Sequence, residues 1–321
     1  MNARSKLLAN IGPIALLVAT ILACGVIDAR ILASQNLINI LTQSVPVLML
    51  ALGAFIVLLT GGIDLSAGIT VTLGSIVIAS AFSMGLDLPF ALLSGLSAVL
   101  FIGMINGFLI SVLRVPAFVA TLATMSCIQG VALLLAKRGV YILSDPSLKF
   151  LGIARLGGVP VSLVAASLIT VIAYALMHQT RFGLRVYATG SDPAAAALAR
   201  VPTGKVLLMT YVVASAFTFL SAVMLVARTP IVTPNVGGQS LLLDAIAACV
   251  LGGTSIFGGR GTVLGVVAGT LIVGLFSNAL RVVGIDPSSL DLMKGALVIA
   301  ALLCDAGIVS ARRKFLKENT K

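Results

Sequence analysis

Tryptophan is absent from this 321-residue chain, histidine occurs once, and charged residues make up only 10% of it. A soluble domain carries about 25% charged residues, because it must cover its surface with polar groups. At 59% hydrophobic residues and a mean hydropathy of +1.17, this chain excludes a soluble fold. The lack of tryptophan leaves little material for an interfacial aromatic belt. The four cysteines, Cys24, Cys127, Cys249 and Cys304, lie far apart in apolar runs. No CxxC or metal-type spacing joins them, and His178 has no second ligand beside it, so no metal site, zinc site or disulfide is expected. There is no GxxxxGK[ST]: Gly204-Lys205 is followed by Val206, and Ala199 stands where the first glycine belongs. GxSxG and HExxH are also missing, so neither an enzyme nor a cofactor is expected. If ATP drives this protein, another polypeptide hydrolyses it.

What is present is hydrophobic length. A bilayer-spanning helix takes about 20 mostly apolar residues, and the continuous, non-alternating runs exclude a β-barrel. Apolar runs and their polar or Pro/Gly punctuation predict about ten spans: 9–27, 42–60, 66–84, 88–110, 116–136, 159–177, 206–227, 239–256, 262–280 and 290–309. The expected fold class is an all-α membrane protein forming one transmembrane domain over 1–321. Arg4 and Lys6 before the run Leu7–Ile27, with Leu22-Ala23-Cys24, resemble a signal segment; an uncleaved first span is the reading adopted.

The net charge of +11 is read as loop charge in a lipid environment, not as nucleic-acid binding. With the amino terminus inside, 13 of the 21 Lys and Arg residues fall in cytoplasmic segments, seven outside, and Lys294 within the last span. This bias predicts both termini in the cytoplasm and an even number of spans. It places the loop 137–158 outside and the loop 178–205 inside. Within the latter, Asp192 can cap a short helix, Pro193 suits its first position, and the alanines favour it. That helix is either a docking element or an amphipathic linker.

Candidate polar residues within the membrane are few. Asp64, after Gly61-Gly62, either caps the third span or lines a solute path. Asp244 sits early in the eighth span, as a path or packing residue or at the outer interface. Asn106 and Asn278 suit interhelical hydrogen bonds or solute contact. Gly103-xxx-Gly107 and Gly261-xxx-Gly265-xxx-Gly269 put small residues on one helix face, for packing within the chain or across a dimer. Leu59-Thr60-Gly61-Gly62-Ile63-Asp64 weakly echoes Leu251-Gly252-Gly253-Thr254-Ser255, as paired broken helices of a transporter repeat do.

Four strings together resemble the signature of ribose-type sugar permeases of ABC importers. They are Leu58–Gly68, Val115–Leu122, Thr180-Arg181-Phe182-Gly183 with Val186-Tyr187-Ala188, and Asp244–Ser255 followed by Gly258-Gly259-Arg260-Gly261. The resemblance runs over about 35–305. It implies a type II importer-like permease of the bacterial inner membrane that moves a monosaccharide or polyol. It implies three partners: a cytoplasmic ABC ATPase subunit, a periplasmic or extracellular sugar-binding protein, and a second permease copy or paralogue. It implies that the 187–204 loop matches the family's ATPase-coupling helix, which puts coupling on Asp192, Pro193, Ala195, Leu198 and Arg200; the candidate path or gate residues, read from the polar and glycine positions above, are Gly61, Gly62, Asp64, Asn106, Asp244, Gly252, Gly253 and Asn278. The chain departs from that family at Ala194 (usually Glu), at Ala199-Arg200 (usually Ser-Gly) and at Leu242 (often Glu). A heterodimer whose second permease carries the missing groups is compatible with this. A branched-chain amino-acid ABC permease and an ion-coupled secondary transporter are the alternatives.

Overall fold

The computed structural model describes residues 3–136, 139–286, 289, 292–296 and 299, with the backbone alone at 3–10. Besides a short 3-10 turn at Ala29–Leu32 and helical residues at 292–296, the described residues form α1 (Ala3–Ile27), α2 (Ser34–Leu59), α3 (Ala67–Ser83), α4 (Leu88–Ser111), α5 (Ala117–Leu135), α6 (Pro146–Ile153), α7 (Val161–Gln179), α8 (Arg181–Ser191), α9 (Pro193–Leu198), α10 (Thr203–Arg228), α11 (Gly238–Leu251) and α12 (Val263–Val282). Six of them (α2, α4, α5, α7, α10 and α12) are long and apolar enough to cross a membrane; α3, α11 and the 11–27 part of α1 are shorter apolar helices. These nine coincide with nine of the expected segments. The tenth, 290–309, falls largely outside the described residues, as do Cys304, Lys137, Arg138 and the basic carboxyl-terminal tail.

Two boundaries differ from expectation. α2 begins at Ser34, not 42, because Gln35, Asn36, Asn39, Thr42 and Gln43 extend the helix as polar turns that hydropathy alone discards. Its Pro46 lies in the helix interior, and Ser221 Oγ of α10 donates to the Pro46 carbonyl at 2.7 Å. The eighth segment stops at Leu251 because Gly253 turns the chain with a left-handed φ of +77°.

α2 and α12 are the most enclosed of the long helices, followed by α10. α10 packs on α4, α2 and α3; α11 and α12 pack on each other and on α2; α1 lies along α12. α4, α5 and α7 form the outside, presenting Phe101, Phe108, Phe118, Leu134, Leu168 and Val171 outward. In hydrocarbon such a belt costs nothing, and helical geometry pairs the backbone polar groups of the helix interiors within each helix.

Glycine decides the closest seams. Gly103 and Gly107 meet Tyr211, Ser215 and Leu208 of α10, and Gly265 and Gly269 meet the backbone of Gly252 and Ala248. Both glycine stripes are therefore used for packing within the chain.

The 137–158 segment is not a plain loop. Asp145 caps α6, its Oδ1 accepting from Ser147 N at 2.8 Å. β1 (Tyr141–Ile142) pairs antiparallel with β4 (Ile231–Val232), and β2 (Arg155–Leu156) with β3 (Val159–Pro160). The β1–β4 pair ties the 137–158 and 228–238 segments into one cap over the carboxyl end of α10. At the opposite end of the bundle stand α8, α9 and the 252–261 turn.

Candidate functional site

The residues expected to couple, Asp192 to Arg200, form the short helix α9 and its two caps. Asp192 Oδ1 accepts from Ala194 N at 2.9 Å and from Ala195 N at 3.0 Å, with Pro193 in the first turn. At the other end Arg200 N donates to Ala197 O at 2.9 Å and Val201 N to Ala196 O at 3.0 Å, the paired bonds of a Schellman cap. Ala196 is buried, whereas Leu198 is 88% exposed and points its apolar side chain away from the bundle.

Such a cap needs a left-handed residue, and Arg200 fills it with φ +58°. A side-chain-bearing residue in that region costs about 1–2 kcal/mol relative to glycine. Arg200→Gly is therefore expected to stabilise the end of α9 by about 1 kcal/mol, read as slower hydrogen exchange at the Val201 amide. Unchanged or faster exchange would mean that the arginine side chain offsets the strain.

The α8 segment before it was not foreseen as a helix. Thr180 caps it, accepting from Gly183 N at 3.3 Å, and Asp192 ends it. α8 rests directly on both glycine-rich breaks. Gly190 lies against the Leu59 carbonyl and the Gly259 amide, so closely that no side chain fits there. Gly259 N donates to Leu59 O at 2.8 Å, tying the 252–261 turn to the end of α2. Tyr187 Oη donates to Gly261 O at 2.8 Å. Burial pushes the Tyr187 phenol well above its ordinary value, so it remains a donor throughout the physiological range. Gly61, with φ +76°, faces the Phe257 carbonyl, and the Phe257 side chain is 86% exposed beside α8. Gly252 belongs to this junction through its seam with Gly265; Gly253 lies next to Pro13 of α1. The two breaks that echo each other in sequence thus meet, and they meet on the helix that leads into α9.

The remaining expected path residues sit in three other places. Asp64 is partly buried, and its Oδ1 accepts from Ser66 N at 2.9 Å and Ser66 Oγ at 2.6 Å, forming the turn into α3. Asn106 Nδ2 donates to Ser66 Oγ at 2.9 Å, and Thr121 Oγ1 of α5 accepts from Leu65 N at 3.1 Å. Gly62 adjoins the buried Tyr211 hydroxyl. Asn278 of α12 exchanges two amide hydrogen bonds with Asn36 of α2, at 2.8 and 3.1 Å. Asp244 pairs with Lys294 Nζ at 2.9 Å, both side chains largely buried. Leu242, where the resemblance leads one to expect Glu, is buried against Gly68. The site residues missed in sequence are Gly190, Ser66, Asn36 and Thr121. Of these Gly190 had a readable signal, as a glycine inside an otherwise helical stretch.

An apolar helical bundle with six helices long enough to cross a membrane, broken at glycine turns, marks a multi-pass membrane protein. Residues 36–302 match the family described as branched-chain amino acid transport system, permease component. The chain is 34% identical over 304 residues to the ribose import permease protein RbsC of Bacillus subtilis (strain 168), covering 92% of each. It is 33% identical over 311 residues to the galactose/methyl galactoside import permease protein MglC of Escherichia coli (strain K12), covering 89% of this chain and 90% of that one. It is 32% identical over 306 residues to the fructose import permease protein FrcC of Rhizobium meliloti, covering 92% and 85%. No solved structure matches it significantly. The chain belongs to this permease family, alongside the ribose-type sugar import permeases.

Proposed function

We propose that this chain is the membrane-spanning subunit of an ATP-driven importer for a monosaccharide or related polyol. The observation that carries the proposal is the junction of α8 and α9 with both glycine-rich breaks, in a chain 32–34% identical to permeases named for ribose, galactose and fructose. On this reading the basic loop 178–205 faces the cytoplasm with both termini, about ten helices cross the bacterial inner membrane, and an ABC ATPase subunit docks on α9 around Leu198. A sugar-binding protein docks on the cap built from 137–158 and 228–238. A second permease, identical or paralogous, completes the path. Closure of the ATPase halves displaces α9, α8 follows as one body, and the ends of α2 and α11 move with it. The family description favours a second reading, a branched-chain amino acid as solute.

Reconstitution decides between these. Proteoliposomes holding this chain with an ATPase subunit and a binding protein encoded beside it are expected to accumulate labelled sugar only with ATP. Accumulation of leucine but not sugar would favour the second reading. Uptake by this chain alone on an ion gradient would overturn both in favour of a secondary transporter.

A further inference from the structure

A cavity of about 240 Å³ opens among α2, α10, α11 and α12, close to the cap end of α10. It is smaller than the roughly 300–1,000 Å³ of drug-sized sites, so it suits a small solute. Its polar lining is Gln43, Arg228, Asp244, Arg281 and Lys294, with the hydroxyls of Ser44, Thr270 and Ser277. Among the described residues the charges do not balance: three cations share the space with one carboxylate. Asp244 is taken up by Lys294 at 2.9 Å. The ion pairs among the described residues, Arg30–Asp28 and Lys294–Asp244, involve neither arginine. Arg281 instead donates to neutral oxygens, to Gln43 Oε1 at 3.2 Å through Nη2 and to Ser277 O at 3.1 Å through Nε. Arg228 and Arg281 are both exposed at the mouth, while the ion pair lies deeper.

Two guanidiniums in one cavity repel each other, and neutral hydroxyls do not relieve that. A planar anion does, because a guanidinium presents a donor fork that matches a carboxylate. The lining also offers donors and acceptors for hydroxyl groups. We propose that this cavity recognises a sugar bearing a carboxylate, an aldonate or uronate, with Arg228 and Arg281 on the acid group. The proposal rests on the sugar-import reading above and deepens it to acidic sugars.

The test is saturation-transfer NMR, which tolerates weak binding, on the full-length permease in phosphatidylcholine nanodiscs with sodium D-gluconate and D-glucose as probes. Gluconate is expected to show about fivefold more saturation than glucose, the difference between charge-assisted and neutral hydrogen bonds. Arg281→Gln and Arg228→Gln should each remove that preference, and Arg281→Lys should keep most of it. Equal saturation of the two sugars, unchanged by Arg281→Gln, would overturn the acidic class while leaving sugar import intact. Gluconate binding indifferent to both arginine variants, or no saturation of either sugar, would overturn the assignment of this cavity; ATP-dependent sugar uptake in proteoliposomes then judges the import reading separately. Loss of gluconate saturation on adding phosphatidylglycerol would give the site to a lipid headgroup and likewise overturn it.

Discussion

Gly190→Val should abolish transport while leaving the helix bundle folded. A side chain at 190 runs into the Leu59 carbonyl and the Gly259 amide, which are backbone groups held by the Gly259–Leu59 hydrogen bond and cannot turn aside. Overpacking of this kind costs about 1–3 kcal/mol. The bundle core is built mainly on α2, α10, α11 and α12, with α8 adding Val186 to it, so α8 should lift at its Gly190 end while Val186 holds its other end in place. A penalty near the middle of that range lowers the docking equilibrium constant of this end of α8 by more than about tenfold. Uptake in proteoliposomes should fall by at least that factor, with the thermal unfolding midpoint little changed. Even Gly190→Ala meets the same backbone atoms and should show most of the effect. Full uptake by both variants would mean that α8 transmits nothing.

Lys294→Met is expected to be the most destabilising single substitution at a charged residue of the bundle. It removes the cation paired with the largely buried Asp244 carboxylate, and breaking a buried pair from one side costs about 3–5 kcal/mol, less where Arg228 and Arg281 of the same cavity take over part of the charge. Asp244→Asn should cost a comparable amount by stranding the ammonium. The double variant Asp244→Asn/Lys294→Met should recover most of the loss, since replacing both charges is often close to neutral. Thermal unfolding of the purified protein in nanodiscs, run as a double-mutant cycle, measures the coupling. Additive losses would show that the pair contributes little and that each residue is held by other neighbours.

These outcomes turn on contacts that no local pattern carries. The helices themselves were legible because an apolar run of span length is a local property: α4 was expected at 88–110 and occupies Leu88–Ser111. The cap of α9 was legible for the same reason, since Asp192, Pro193 and the alanines act on their immediate neighbours. The departure at Ala199-Arg200 was visible as a missing glycine, but the left-handed turn it strains becomes evident only with the Schellman bonds in place. The partners across the fold were not legible. Asn36 and Asn278 are 242 positions apart and Asp244 and Lys294 are 50 apart, and one sequence holds no periodicity that joins them. Leading and trailing polar turns were lost too: the first two turns of α2 read as loop because hydropathy is blind to a helix that its neighbours cover.

The glycine seam between α11 and α12 bears on how force can travel. Side chains between two helices act as springs, absorbing small displacements by changing rotamer. Where Gly252 meets Gly265 and Ala248 meets Gly269, backbone rests on backbone and there is no spring. The pair is thus a stiff fork with its closed end at the 252–261 turn, tied to α2 through Leu59. A push at that end is not taken up at these two contacts. It is passed along both helices toward their far ends, where α11 carries Asp244 and α12 carries Asn278 and Arg281.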